Sequence, residues 1–345
     1  MRETQDAART RRWQIRSAAR NVGKRLRKAE RVVPEDSKPA KPDNLGKPGL
    51  GTGPSDRLIG IGLMCAALAI FSVLDATAKW ASQHMHPIQA VWARYLVSVL
   101  LVTALLNPLS RPGVMSTRAP GLQSLRSMML LLSTVLNFFA LQFLQLAEAI
   151  TIIFATPLLI ALLSGPLLGE WPGPRRMVAI GVGFLGVLVV MRPGTGSLHP
   201  AALLSMAGVV CYAFYNLTTR KLASIDSSET TMVYSGMAGV LLITPLMPWF
   251  WTTPTSPALW GAMVLMGACG AFGHWLIIGA HRRAPASVLA PFIYTQLIWM
   301  LILGWLVFGQ WPDTWTLAGG SIVVASGLYL LYRERVRGAD VNRVA

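Results

Sequence analysis

The sequence predicts an all-α membrane protein of ten transmembrane helices, arranged as two inverted five-helix repeats. Three observations carry this expectation. Of the 345 residues 53% are apolar and only 13% charged, about half the charged share of a soluble domain. From Leu58 onward the chain is a series of apolar blocks separated by short polar or Pro/Gly joints. Two sequence patterns then recur roughly 140 residues apart, and a repeat of five spans reverses its direction in the bilayer.

The blocks are long enough to be spans. About 20 apolar residues at 1.5 Å rise cross a hydrocarbon core of about 30 Å, and these blocks mostly lack the polar face of a soluble core helix. The expected spans are Leu58–Ala81, Ile88–Leu106, Gln123–Leu141, Ile150–Leu168, Met177–Met191, Ala201–Leu222, Thr230–Phe250, Leu259–Ala280, Ser287–Phe308 and Trp315–Tyr332. The domain reading is a tail over 1–57, repeats over 58–194 and 195–335, and a C-terminal tail over 336–345.

Charge sets the expected orientation. With the N-terminus in the cytoplasm, Arg192 is the one Lys/Arg of the outward joints. The inward joints and adjoining span ends hold Arg111, Arg118, Arg126, Arg175, Arg176, Arg220, Lys221, Arg282 and Arg283. This asymmetry places both termini in the cytoplasm of an inner membrane. Trp171, Trp249, Trp251, Trp260, Trp311 and Trp315 fall where amphipathic rings mark an interface.

Half of the formal charge of +16 lies in the first 57 residues, with 15 Lys/Arg against 7 Asp/Glu. Residues 10–33 have the apolar spacing of a basic amphipathic helix, suited to an anionic lipid surface. Residues 34–54 read as a Pro/Gly/Lys-rich linker. The first apolar block starts too late for a cleavable signal peptide. No nucleic-acid recognition motif accompanies the charge, so no nucleic-acid partner is expected.

The repeat is visible in two registers. GEWP (Gly169–Pro172) pairs with GQWP (Gly309–Pro312), and FSVLDATAK (Phe71–Lys79) pairs with YAFYNLTTR (Tyr212–Arg220). Inverted repeats suit transporters, in which one half rocks against the other. The chain resembles the drug/metabolite transporter superfamily, in its ten-span branch with two EamA-type repeats. The residues that carry the resemblance are LAEAITIIFATPLLIALLSGPLLGEWPGPRRMVAIGVGFLGVLVVMRPG (Leu146–Gly194), with the looser copy APASVLAPFIYTQLIWMLILGWLVFGQWP. It extends to bacterial members that include riboflavin and S-adenosylmethionine carriers, and implies transport of a small organic metabolite. Where the family pattern has Glu in the second of these joints the chain has Gln310, so the resemblance assigns no proton-carrying role there.

Charged groups inside spans are costly, which makes each a candidate for function. Asp75 and Lys79 share a face of the first span, Arg94 lies about two turns into the second, and Glu148 sits just before the fourth. One reading makes them a structural ion-pair cluster with Lys79 and Arg94 reaching outward. The other puts Asp75 and Arg94 beside the substrate path. Asn137, Asn216, His274 and Gln296 are further polar candidates, and the resemblance places Asn137 and His274 beside a central cavity. Tyr212, Trp275 and Tyr294 could stack on a ring. Pro157 breaks the fourth span, and such breaks occur at transporter binding sites. Glycines at 165 and 169, and at 267, 270 and 273, are expected to admit close packing.

Other function classes fit less well. An enzyme acting on lipid-linked substrates would need carboxylates, His or metal ligands clustered at one membrane face. No such cluster, P-loop or metal-type cysteine spacing occurs, so neither a cofactor nor a metal is expected. Gly181, Gly183 and Gly186 spell GxGxxG in wholly apolar surroundings with no strand before them, which argues against a dinucleotide site. The expected partners are a small-molecule substrate and membrane lipid, with a homodimer left open. The expected substrate is a planar ring-bearing metabolite, riboflavin first, held by stacking without fixed charge.

Overall fold

The computed structural model of the chain describes residues 54–106, 115–169, 171–192, 199–222 and 225–344. The expectations for the basic tail up to residue 53, and for Arg111, lie outside the described residues. All regular structure among the described residues is helical. Among the described residues, ten helices, or helix pairs, are long and apolar enough to cross a membrane. Six of the ten begin at a proline, namely Pro54, Pro87, Pro120, Pro174, Pro200 and Pro257. Proline suits a helix start because the N–H it lacks would have no partner in the first turn anyway.

The first three spans are continuous, over Pro54–Ala81, Pro87–Leu106 and Pro120–Leu141. The fourth is two helices, Leu146–Ile153 and Thr156–Leu168. The fifth and sixth are Pro174–Met191 and Pro200–Leu222. The seventh runs from Ser228 to Phe250 and passes through a 3-10 turn at Thr244–Leu246. The eighth is Pro257–Arg283. The ninth starts as a short helix, Ala286–Leu289, becomes 3-10 over Ala290–Thr295 and ends as Gln296–Phe308. The last helix, Thr314–Val344, runs past Tyr332 and through most of the segment read as a tail.

The two broken spans show the repeat in detail. Their second halves, Thr156–Leu168 and Gln296–Phe308, are each 13 residues long and start 140 residues apart. Each is closed by a left-handed glycine, Gly169 at φ 74° and Gly309 at φ 63°, a conformation that costs a Cβ-bearing residue strain. Pro157 sits in the first turn of its half-helix and has no N–H for the carbonyl of Ile153. The Thr156 hydroxyl donates to that carbonyl instead, at 2.6 Å. In the ninth span the Thr295 hydroxyl donates to Phe292 O at 2.7 Å. Hydroxyls thus take over where the backbone ladder stops, as an apolar setting requires. The rings of Phe154 and Tyr294, equivalent positions of the two repeats, meet edge to face with centroids 4.9 Å apart.

Helix packing obeys the same exchange of halves. The first span packs against the eighth and the third against the sixth, and these two pairs map onto each other when the repeats are swapped. The fifth packs against the tenth, a pair that maps onto itself. Small residues make these contacts close. A Cβ on Gly186 would lie 2.9 Å from Gly319 O and from methyls of Ile322 and Val323. On the eighth span, a Cβ on Gly270 would lie 3.0 Å from Ser98 Oγ, and one on Gly273 would lie 2.7 Å from the Phe71 ring. Gly165 differs from expectation, since it receives the ring of Trp171 from its own following loop rather than a neighbouring span. Trp171, Trp249, Trp251, Trp260, Trp311 and Trp315 are all exposed.

Gly186→Val is expected to destabilise the protein by about 2 kcal/mol through overpacking of the fifth and tenth spans. Gly181→Val meets nothing within 4 Å and should leave stability nearly unchanged. Thermal unfolding in detergent micelles compares the two, and equal losses would contradict this packing.

Candidate functional site: a cavity with two guanidinium groups

A cavity of about 550 Å³ opens between the second, third, sixth, seventh and eighth spans. Its lining runs from Arg94, Gly270 and His274, midway along their spans, to Met115 and Asp226 at one end. That end is where the third and seventh spans begin, and it is the end that carries Arg118, Arg220, Lys221, Arg282 and Arg283. Most of the wall is apolar, with Tyr95 and Tyr215 supplying aromatic surface.

Arg126 is the most thoroughly held charge in the described structure. The side chain, only 4% exposed, reaches from the first repeat into the second. Nε donates to Thr219 Oγ1 at 2.7 Å, Nη1 to Thr231 O at 3.1 Å and to Ser235 Oγ, and Nη2 to the Tyr215 hydroxyl at 3.0 Å. The guanidinium also lies over the Tyr215 ring, 4.6 Å from its centroid, a favourable place for a cation. All of these partners are neutral. From the sequence Arg126 counts among the inward joints and adjoining span ends, and the structure adds that its side chain is buried. The available signal was its depth, since it falls two turns inside the third helix, Pro120–Leu141.

Arg94 is held differently. Nη1 donates to Thr134 Oγ1 at 3.0 Å, and Thr134 also hydrogen-bonds the Tyr95 hydroxyl at 3.1 Å. The plane of Arg94 lies near the Tyr95 ring at 5.1 Å and the Phe138 ring at 6.0 Å. Its Nε is buried with no hydrogen-bond partner. Thr134 is eight residues beyond Arg126 on the third span, which separates the two levels by about 12 Å along the helix.

The other expected site residues are distributed as follows. His274 lines the cavity and meets the Phe71 ring edge to face at 5.1 Å. Asp75 lies within the electrostatic reach of Arg94 but makes neither an ion pair nor a hydrogen bond among the described residues. Tyr212 stacks on Tyr215 at 5.4 Å and so backs the cavity wall. Asn216 is spent within its own helix, donating to Tyr212 O at 2.7 Å. Asn137 packs near Gly208 of the sixth span, and its Oδ1 is buried without a partner. Pro157 and Tyr294 belong to the broken spans described above, and Gln296 begins the second half of the ninth. Trp275 stands on the outside instead of in the cavity, 61% exposed and stacked on Phe272. The placement follows from the eighth helix, whose cavity face at Gly270, His274 and Ile277 leaves Trp275 pointing away.

Lys79 also departs from the expectation of a side chain reaching outward. It is 2% exposed, and Nζ donates to Leu141 O at 3.1 Å and Leu144 O at 2.6 Å. Those carbonyls, at the end of the third span, have no helical donor, so an ammonium there satisfies both. Glu148 lies in its field and caps the fourth span by accepting from Gln145 N at 3.0 Å. At this end of the bundle Gln89 Nε2 donates to Thr252 O at 2.9 Å, and Thr252 N donates back to Gln89 Oε1 at 3.0 Å. His86 stacks on Phe250, with centroids 4.4 Å apart. These contacts join the two repeats at the end opposite Met115 and Asp226.

Residues 58–192 and 199–333 each match the EamA-like transporter family. The chain belongs to that family. The two matches are the two five-span halves described above. The family relatives include an S-adenosylmethionine uptake transporter of Rickettsia conorii, 24% identical over 81% of this chain and 94% of that protein. A riboflavin transporter of Vibrio cholerae is 28% identical over 82% of this chain and 96% of that protein. A pseudopaline exporter of Pseudomonas aeruginosa is 26% identical over 79% and 96%. A solved crystal structure shares the fold, with a TM-score of 0.54 and 19% identity, over 79% of this chain and 95% of that one. The chain is therefore a multi-pass membrane protein of a small-metabolite transporter family.

Thr219→Val removes the acceptor of Arg126 Nε while keeping side-chain shape. Leaving a buried charged donor unpaired should cost about 2 kcal/mol. The expected outcome is a lower unfolding midpoint in detergent, and an unchanged midpoint would show that the Arg126 network does not hold the repeats together.

Proposed function

We propose that the protein is a secondary transporter that carries one small, ring-bearing organic metabolite across the inner membrane. The observation that carries this reading is the cavity of about 550 Å³ between the two repeats, a size suited to a single small ligand. Its walls offer Tyr95 and Tyr215 for stacking and His274 and Arg94 for polar contact. Riboflavin is the first substrate to test, because the wall is aromatic and relatives of this chain are named riboflavin transporters. S-adenosylmethionine is a second reading with its own support. Arg94 lines the cavity and Asp75 lies within its field without pairing to it, an arrangement of opposite charges compatible with a molecule that has an ammonium and a carboxylate, and other relatives are named for that metabolite.

The proposed orientation has both termini in the cytoplasm, supported by the Lys/Arg at the end of the bundle reached by the cavity. In that frame the cavity faces the cytoplasm, and the Gln89–Thr252 and Lys79 contacts close the outer side. Rocking one repeat against the other would exchange the two states. A C-terminal reporter active only in the periplasm should stay silent, and activity there would reverse the orientation.

The substrate test uses purified full-length protein in liposomes. Labelled riboflavin and labelled S-adenosylmethionine are offered separately, each against empty liposomes. Saturable uptake of riboflavin supports the first reading, and uptake of S-adenosylmethionine alone supports the second. Uptake of neither by correctly inserted protein would remove both substrate assignments.

A further inference from the structure

The two guanidinium groups of the cavity have different chemical jobs. Arg126 makes four hydrogen bonds, all to neutral acceptors. A guanidinium has five donors, so Arg126 is close to saturated and acts as a fixed positive charge in the wall. Arg94 makes one direct hydrogen bond, to Thr134, lies beside the Tyr95 hydroxyl, and keeps a buried Nε without a partner. Leaving such a charged donor unpaired in an apolar setting is costly. A purely structural Arg94 would be expected to be surrounded by acceptors, as Arg126 is.

No acid in the cavity compensates either charge. Asp226 is the acidic residue of the lining, and its carboxylate is already occupied at the rim. It accepts from Thr117 Oγ1, from Arg118 N at 3.1 Å and from Gln123 Nε2 at 3.1 Å. Asp75 feels the Arg94 charge but does not reach ion-pair distance. The Tyr95 and Phe138 ring centroids lie 5.1 and 6.0 Å from the guanidinium carbon, and His274 lines the same cavity as a second potential donor. Planar, paired donors are the geometry that binds carboxylate and phosphate groups.

From this contrast we infer that the transported metabolite carries an oxyanion, a carboxylate or a phosphate, and that Arg94 binds it while Arg126 supplies a fixed attractive field. The inference rests on the transporter reading and shifts its substrate class from neutral riboflavin, which carries neither group, to an oxyanion-bearing metabolite such as the second reading offers. It departs from the sequence-based expectation that stacking alone, without fixed charge, holds the substrate. Arg94 becomes a specificity-determining residue: the ring portion of the metabolite sets how well it stacks, and the oxyanion decides whether it is accepted.

The test is independent of transport. Full-length protein in detergent micelles is titrated with inorganic phosphate or with acetate, at constant ionic strength set by sodium chloride, and thermal unfolding is followed by tryptophan fluorescence. Wild type should show a saturable rise in Tm with at least one of the two, and the stronger probe identifies the oxyanion as phosphate or carboxylate. Arg94→Gln should bind at least tenfold more weakly. Should Arg94→Gln fail to fold, Arg94→Lys serves in its place, because it keeps the charge but loses the paired planar donors, and it should also weaken binding about tenfold. A Tm shift of the same size in wild type and the Arg94 variant assigns the anion to the basic surface and overturns the inference, as does the absence of a saturable shift with either probe. In liposomes the second arm compares riboflavin with riboflavin 5′-phosphate, which share one ring system. Uptake of neutral riboflavin with no oxyanion stabilisation sinks the Arg94 site and leaves the carrier reading standing. Oxyanion stabilisation lost in the Arg94 variant, with no uptake of any metabolite offered, keeps the site and sinks the carrier reading.

Discussion

In an apolar bilayer no water completes a broken hydrogen-bond ladder, and that constraint shapes every irregular feature of this chain. Continuous helices satisfy it by themselves. The fourth and ninth spans are interrupted near prolines, and each interruption is repaired by a threonine hydroxyl, Thr156 onto Ile153 O and Thr295 onto Phe292 O. At the end of the third span Lys79 repairs two carbonyls at once. A charged side chain buried at 2% exposure is tolerable there because two of its three donors meet acceptors that would otherwise be unpaired. The breaks bring Phe154 and Tyr294 face to edge at the contact between the halves, so the same irregularity that the bilayer penalises also joins the two repeats.

The cavity is formed by the opposite choice. Where the fifth and tenth spans come together through Gly186 and Gly319, the space is filled by backbone and methyl groups. Between the second, third, sixth, seventh and eighth spans, space is left and two guanidinium groups are placed beside it. The Arg126 network joins the third span to hydroxyls and a carbonyl drawn from the sixth and seventh. It therefore ties one repeat to the other while keeping a full positive charge next to the cavity. Binding free energy from a substrate group that engages Arg94 can in turn bias how the repeats sit, since a ligand shifts a conformational equilibrium only through contacts that differ between the states.

Much of this was legible in the amino-acid sequence. Block length and charge asymmetry gave the spans, because burying backbone in hydrocarbon demands a minimum apolar length and leaves little latitude. The GEWP and GQWP registers located the half-helices whose ends are the left-handed Gly169 and Gly309. Arg94 and His274 were picked out because intramembrane polar groups are rare, and both line the cavity. The burial of Arg126 was not legible, because an arginine near a span end looks the same whether it faces lipid headgroups or turns inward. Its partners, Tyr215, Thr219, Thr231 and Ser235, are ordinary residues 89 to 109 positions away in the sequence. Trp275 was misplaced for a related reason, since a span that is apolar all round carries no amphipathic signal to say which face points inward.

The sequence by itself determined the all-helical class, the number of spans and the twofold internal repeat, each of which follows from local composition and from spacing along one chain. Only the tertiary structure decided which faces meet, that Lys79 turns inward to cap a neighbouring span, and that one guanidinium is saturated while the other keeps a buried donor unpartnered. The physical reason is that hydrogen-bond satisfaction is a property of neighbours in space. A side chain's donors and acceptors can be counted from the sequence, but whether each one has found its partner depends on helices that are far apart along the chain and adjacent only in the folded bundle.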